Sequence, residues 1–98
     1  MNALITYDVS NKQSDVKKAM KDLKYSDSWT SNNKTYYLPN TTLWKANITA
    51  ATALADMKTV VSNLNQKISL QKDKIKLERC IAVQFDTWAG IEGDKHSE

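Results

Sequence analysis

The segment Ala3-Leu4-Ile5-Thr6-Tyr7-Asp8-Val9-Ser10 alternates with a period of two and brings a single carboxylate, Asp8, to the carboxyl end of a strand. A lysine-rich helical segment follows, so cations stand close to that acid in sequence. Lys12, Lys17, Lys18, Lys21 and Lys24 form the main cluster, with Lys17, Lys21 and Lys24 at the i, i+4, i+7 spacing of one helix face. Such a face can follow phosphates through salt-dependent contacts, and Trp29, Tyr36 and Tyr37 are aromatics on which bases could stack. Each feature also has a structural reading. Asp8 followed by Val-Ser-Asn suits an Asx-turn or the entry to a helix, and Asp15 and Asp22 dilute the lysine field into an ordinary solvated face.

Other chemistry is sparse. His96 is the only histidine and sits two residues from the end of a polar tail, which argues against histidine-dependent acid-base catalysis. Cys80 has no His-Asp context near it in sequence and reads as a small packed side chain. Gly90 and Gly93 are the only glycines, so there is no glycine-rich phosphate loop, and Cys/His zinc spacing is also missing.

The elements that must position these residues follow from hydrophobic period. Val16, Ala19, Met20 and Leu23 mark a first helix, with Asp15 in its first turn and Lys21 and Lys24 in its last. The Trp29 to Lys45 region is rich in Thr, Tyr and Trp. It reads as two strands, Tyr36-Tyr37-Leu38 and Thr41-Thr42-Leu43-Trp44, around a Pro39-Asn40 turn, with Asn32-Asn33 as a competing turn. Asn47 or Thr49 can cap a long second helix on which Ala50, Ala53, Leu54, Met57, Val61, Leu64 and Ile68 keep a stripe. Ser69 to Lys76 reads as a connection, with a small hairpin as the alternative. Leu77, Arg79, Ile81, Val83 and Phe85 then alternate with Glu78, Cys80, Ala82, Gln84 and Asp86 in a strand with one apolar face.

Composition sets the bounds. Ninety-eight residues, 41% of them hydrophobic and 26% charged, suit one small folded domain, here 1–90 with a loose polar tail over 91–98. The net charge of +3 is mildly basic, and Arg79 is the only arginine among fourteen cations. One cysteine and no long apolar run lead to the expectation of a cytoplasmic, reduced setting with no membrane association.

The order strand, helix, strand, strand, helix, strand predicts an α+β, ferredoxin-like βαββαβ sandwich, a four-stranded antiparallel sheet with both helices on one face. The first strand is then central, between the third and fourth and antiparallel to both. Asp8, Ser10, Asn40, Thr41, Thr42 and Arg79 become neighbours, while Asp86 falls at the opposite edge, so two carboxylates at one site require a second copy of the chain. The sheet face away from the helices would carry Leu4 and strand aromatics into water, which predicts a homodimer.

The Ile5-Thr6-Tyr7-Asp8-Val9-Ser10 opening, followed by this helix, resembles the CRISPR adaptation nuclease-like family. Thr41-Thr42-Leu43-Trp44 and Trp88-Ala89-Gly90 look most like its SinR-like relatives. The resemblance implies that Asp8 is the catalytic residue and, paired across a symmetric dimer, a ligand to Mg²⁺ or Mn²⁺ for phosphodiester cleavage of DNA or RNA. The lysine-rich helix start departs from the arginines typical of the adaptation proteins. The expected function is therefore nucleic-acid association by a small homodimer with metal-dependent endonuclease activity as an extension, against the alternative of a catalytically inert module that binds a protein partner through its sheet face or edge.

Overall fold

A computed structural model describes residues 1–95. In chain order it contains β1 (Asn2–Val9), α1 (Gln13–Asp22), β2 (Ser28–Ser31), β3 (Lys34–Tyr37), β4 (Thr42–Ala46), α2 (Ala50–Gln66), a short 3₁₀ turn (Gln71–Asp73) and β5 (Leu77–Phe85). His96 lies outside the described residues. None of the described helices is long and apolar enough to cross a membrane.

The period-two pattern of β1 decides where the core lies. Ala3, Ile5, Tyr7 and Val9 are buried on one face of the sheet, and both helices lie against that face, α1 through Val16 and Met20 and α2 through Ala53, Met57, Val60 and Val61. Burial of each large side chain such as Ile5, Met20 or Met57 contributes about 1.5–3 kcal/mol. Thr49 caps α2, its hydroxyl accepting from the Thr52 amide at 3.1 Å. Asn47, the other candidate cap, instead has φ of 58°. The Tyr25 hydroxyl donates to Asp56 Oδ2 at 2.8 Å and so ties the segment after α1 to α2.

The four-stranded ferredoxin-like sheet is not what forms. β1 is central and antiparallel to both neighbours, but its sheet has three strands in the order β4-β1-β5, and β2 and β3 make a separate two-stranded sheet. The reversal falls at Asn32-Asn33, whose φ values of 51° and 64° suit a two-residue hairpin of the type that matches strand twist. Asparagine tolerates that left-handed backbone better than most residues. Tyr36 and Tyr37 therefore pair with Trp29 and Ser28, not with Thr41 to Trp44. Pro39-Asn40 turns locally, the Thr42 amide donating to the Pro39 carbonyl at 3.1 Å, without forming a hairpin. One backbone bridge, Ser26 to Trp44, joins the segment before β2 to the β4 edge.

β5 shows how a single register shift redistributes side chains. Asp8 pairs with Arg79 and Val9 with Leu77, so Glu78 is the extra residue of a bulge. Leu77, Cys80 and Ala82 pack toward the helices. Arg79, Ile81, Val83 and Phe85 pair with Asp8, Thr6, Leu4 and Asn2 on the opposite face.

Candidate functional site

The expected cluster around Asp8 is only partly assembled. The Asp8 carboxylate accepts from Arg79 Nε at 2.7 Å in an exposed pair, which favours the charged guanidinium. The nearby hydroxyls and amides bond to the backbone or to one another, none of them to Asp8. The Ser10 hydroxyl donates to Asn11 and accepts from the Lys76 amide at 2.8 Å, closing β1 onto the start of β5. Asn40 Oδ1 accepts from the Thr41 amide, and Thr42, buried, reaches the Thr6 hydroxyl at 3.3 Å. No group of three or more His, Cys, Asp or Glu side chains that could hold a metal ion exists among the described residues. Within one chain the Asp8 corner therefore offers a single carboxylate, and Arg79 engages it.

The lysine cluster disperses. Lys17 is 6% exposed, and its Nζ lies 3.3 Å from Asp27 Oδ2; Lys21 reaches the same oxygen at 3.2 Å. Burial alone would push the Asp27 carboxyl up, but hydrogen bonds and charge from Lys21 and Lys17 outweigh it and hold the carboxyl below its ordinary value. The triad fastens α1 to the strand-entry segment. Lys18 pairs with Asp22 across one exposed helical turn at 3.8 Å. Lys12 is the N-cap residue of α1 at φ 57°, and Lys24 lies beyond the helix end at φ 76°, so neither continues the expected face. Asp27 carried no sequence signal, because nothing in its spacing from Lys17 marks a buried partner.

Cys80 lies on the helix side of β5, where burial raises its thiol pKa, with Lys58 opposing the shift only in part. That environment disfavours the nucleophilic thiolate.

The aromatic residues, by contrast, converge. The hairpin lays Trp29 over the sheet face away from the helices, edge-on to Trp44 at 5.5 Å between ring centroids and near Phe85 at 5.8 Å. The chain after β5 brings Trp88 onto Trp29 at 4.8 Å and onto Tyr36 at 4.9 Å. Trp44 donates its indole N–H to the Ser28 carbonyl at 2.7 Å, whereas the buried indole nitrogen of Trp29 has no hydrogen-bond partner among the described residues. Leu4, Trp44 and Phe85 are thus sheltered within the chain. Gly90 lies near Tyr36 and Trp88, and Gly93, within the expected tail, lies near Tyr37. Between this arch and the sheet runs a cleft of about 440 Å³ whose lining includes Leu4, Tyr37, Val83 and Trp88.

Coverage of this face stops short of the β5 edge. Ile81 is 65% exposed and Val83 48% exposed, on a strand with a partner on one side only. Alternation in the sequence identified this apolar row, and Trp29, Tyr36 and Tyr37 were candidates for stacking. Phe85 belongs to the same alternating row, whereas the contribution of Trp88 to the arch had no local signal, because it depends on where the chain turns after β5.

A scan against protein-family models, a search of curated proteins and a search of solved structures each found no match to this chain.

Proposed function

We propose that this chain is a self-associating interaction protein that pairs through the outer edge of β5, with a second copy of itself as the partner. The observation that carries this reading is the state of that edge. β5 runs for nine residues without proline or lysine, has no charged residue from Cys80 to Phe85, and borders the exposed Ile81 and Val83. The bulge and the charged residues of this strand, Glu78 and Arg79, stand at its start, so the 80–85 stretch offers a row of unpaired N–H and C=O groups without the charge, proline or bulge that normally blunts such an edge. Antiparallel self-pairing about a twofold axis near Ile81 or Ala82 sets the apolar 80–83 segment against its own copy, so no like charges meet at the centre. Main-chain bonds supply affinity in this mode, and the side chains along one face supply selectivity.

The nucleic-acid reading draws on Lys12, Lys18 and Lys24, the cluster members not tied to Asp27. It predicts affinity that falls steeply with salt. Sedimentation velocity over a concentration series, beside fluorescence anisotropy of labelled single-stranded and duplex DNA and RNA at several salt concentrations, separates the two. Self-association predicts a dimer that Ile81→Lys converts to monomer with unchanged circular dichroism. A wild-type protein that stays monomeric while binding nucleic acid in a salt-dependent way contradicts it.

A further inference from the structure

The register in which a second copy pairs rests on the self-association reading above and follows from the hydrogen bonds of the sheet. The Tyr7 amide donates to the Thr41 carbonyl at 3.0 Å, so odd-numbered residues of β1 turn their peptide groups toward β4 and even-numbered ones toward β5. Asn2, Leu4 and Thr6 stand opposite Phe85, Val83 and Ile81, whose N–H and C=O groups are thereby used within the sheet. The peptide groups of Cys80, Ala82 and Gln84 point outward, where no strand pairs with them among the described residues. The opposite edge of the sheet is taken. Trp44 donates its amide to the Ser26 carbonyl at 3.0 Å and accepts from the Ser26 amide at 2.9 Å, which blocks the middle of β4 to a further strand. One open and one blocked edge disfavour head-to-tail growth of this sheet and leave β5 against β5 as the way one copy adds to another.

Residues opposite each other in one continuous sheet share a face, so the twofold axis of an antiparallel β5 pair passes between a residue and its own copy. Centring on Ala82 sets Cys80 opposite Gln84 and Ala82 opposite itself, so every outward residue of each copy finds a hydrogen-bonded place. Centring on Ile81 would set Gln84 against the bulge at Glu78, and centring on Val83 would set Cys80 against Asp86, beyond the end of the strand. The Ala82 register also places Ile81 opposite Val83 of the second copy, at the non-hydrogen-bonded sites where side chains approach most closely. These are the apolar side chains that one chain leaves 65% and 48% exposed. Val83 lines the cleft beneath the aromatic arch, so Ile81 of the second copy extends that wall. We infer that two copies pair with Ala82 on the twofold axis in one sheet of order β4-β1-β5-β5-β1-β4, each adding its Ile81 to the cleft wall of the other.

Cysteine cross-linking reads this register directly. In a Cys80→Ser background, Ala82→Cys should form an interchain disulfide under copper-phenanthroline oxidation, because opposed residues at a hydrogen-bonded site have Cα atoms about 5.5 Å apart. Ile81→Cys and Val83→Cys each lie about 7–8 Å from their own copy, and alone should cross-link at least about tenfold more slowly. Mixed and allowed to exchange subunits, those two proteins should cross-link to each other. The unaltered chain, whose Cys80 faces Gln84, should not cross-link. Sedimentation velocity on the same proteins separates failure of the register from failure of self-association. A dimer that cross-links fastest through Ile81→Cys alone, Val83→Cys alone or the native Cys80 overturns the register while self-association stands, as does a dimer in which neither Ala82→Cys nor the mixture reacts. A protein that is monomeric at every concentration overturns both and leaves the edge to a strand of another protein.

Discussion

The two faces of the β4-β1-β5 sheet are completed in different ways. On the helix side Ala3, Ile5, Tyr7, Val9 and Leu43 meet Val16, Met20, Ala53 and Met57, and all are buried. On the other side Leu4, Trp44 and Phe85 are covered only by the hairpin and the segment after β5, and Ile81 and Val83 stay about half exposed or more. The difference separates two roles. A face closed by helices has lost its water and holds the fold together, while a face closed by an arch of rings keeps a cleft and an exposed row available for contact.

Substitutions can break that contrast. The largest expected loss of stability is on the helix side: Met57→Ala should cost about 2–5 kcal/mol in urea unfolding, the range for truncating a long buried side chain. If Trp88→Ala costs as much, the two faces are not distinct in the way described. Asp27→Asn comes next, at about 3 kcal/mol, because it leaves the Lys17 ammonium buried and without its counter-charge. The same carboxyl gives an acid limit. Its folded pKa is depressed, so its contribution is present above the unfolded value of about 3.9 and is lost as pH falls through the folded value; Asp27→Asn should flatten the acid limb of a stability-pH curve. Tyr25 sets the opposite limit. Burial first, and then its hydrogen bond to the Asp56 carboxylate and that charge, raise its pKa, so its contribution holds below the unfolded value of about 10 and is lost as pH rises further.

Ile81→Lys should abolish the dimer yet change monomer stability by less than about 0.5 kcal/mol, as exposed substitutions away from special features do. Asp8→Asn should have the smallest effect, with no resolvable change in the unfolding midpoint, since its pair with Arg79 is exposed on both sides. Loss of a metal-dependent nuclease activity in that variant, with the dimer intact, would instead place function at the Asp8 corner.

Much of the scaffold is legible from hydrophobic period. β1, both helices and β5 stand close to where alternation and the i, i+3, i+4 stripes put them, and β1 is central, though in a three-stranded sheet and not in the four-stranded ferredoxin-like sheet expected. The hairpin is misplaced because two turn signals compete. Proline is a strong local punctuator, but a two-residue reversal needs positive φ at both central positions, and Asn32-Asn33 meets that need where proline cannot. The lysine face fails for a related reason. Helical spacing predicts a common side for Lys17, Lys21 and Lys24 without revealing that α1 ends at Asp22 or that Asp27 waits beside it. Which face of β5 meets the helices is also hidden, since the small residues Cys80 and Ala82, not the larger Ile81 and Val83, take the helix side.

The most direct test of the open-face account is amide hydrogen exchange along β5 at high and low protein concentration. In an antiparallel ladder, alternate residues direct their N–H groups to β1 and the others outward. Self-association through this edge predicts slow exchange at both sets of amides in concentrated wild-type protein, with the outward set becoming fast on dilution or in Ile81→Lys. Outward amides that exchange fast at every concentration, in a protein whose inward amides remain protected, would contradict edge pairing.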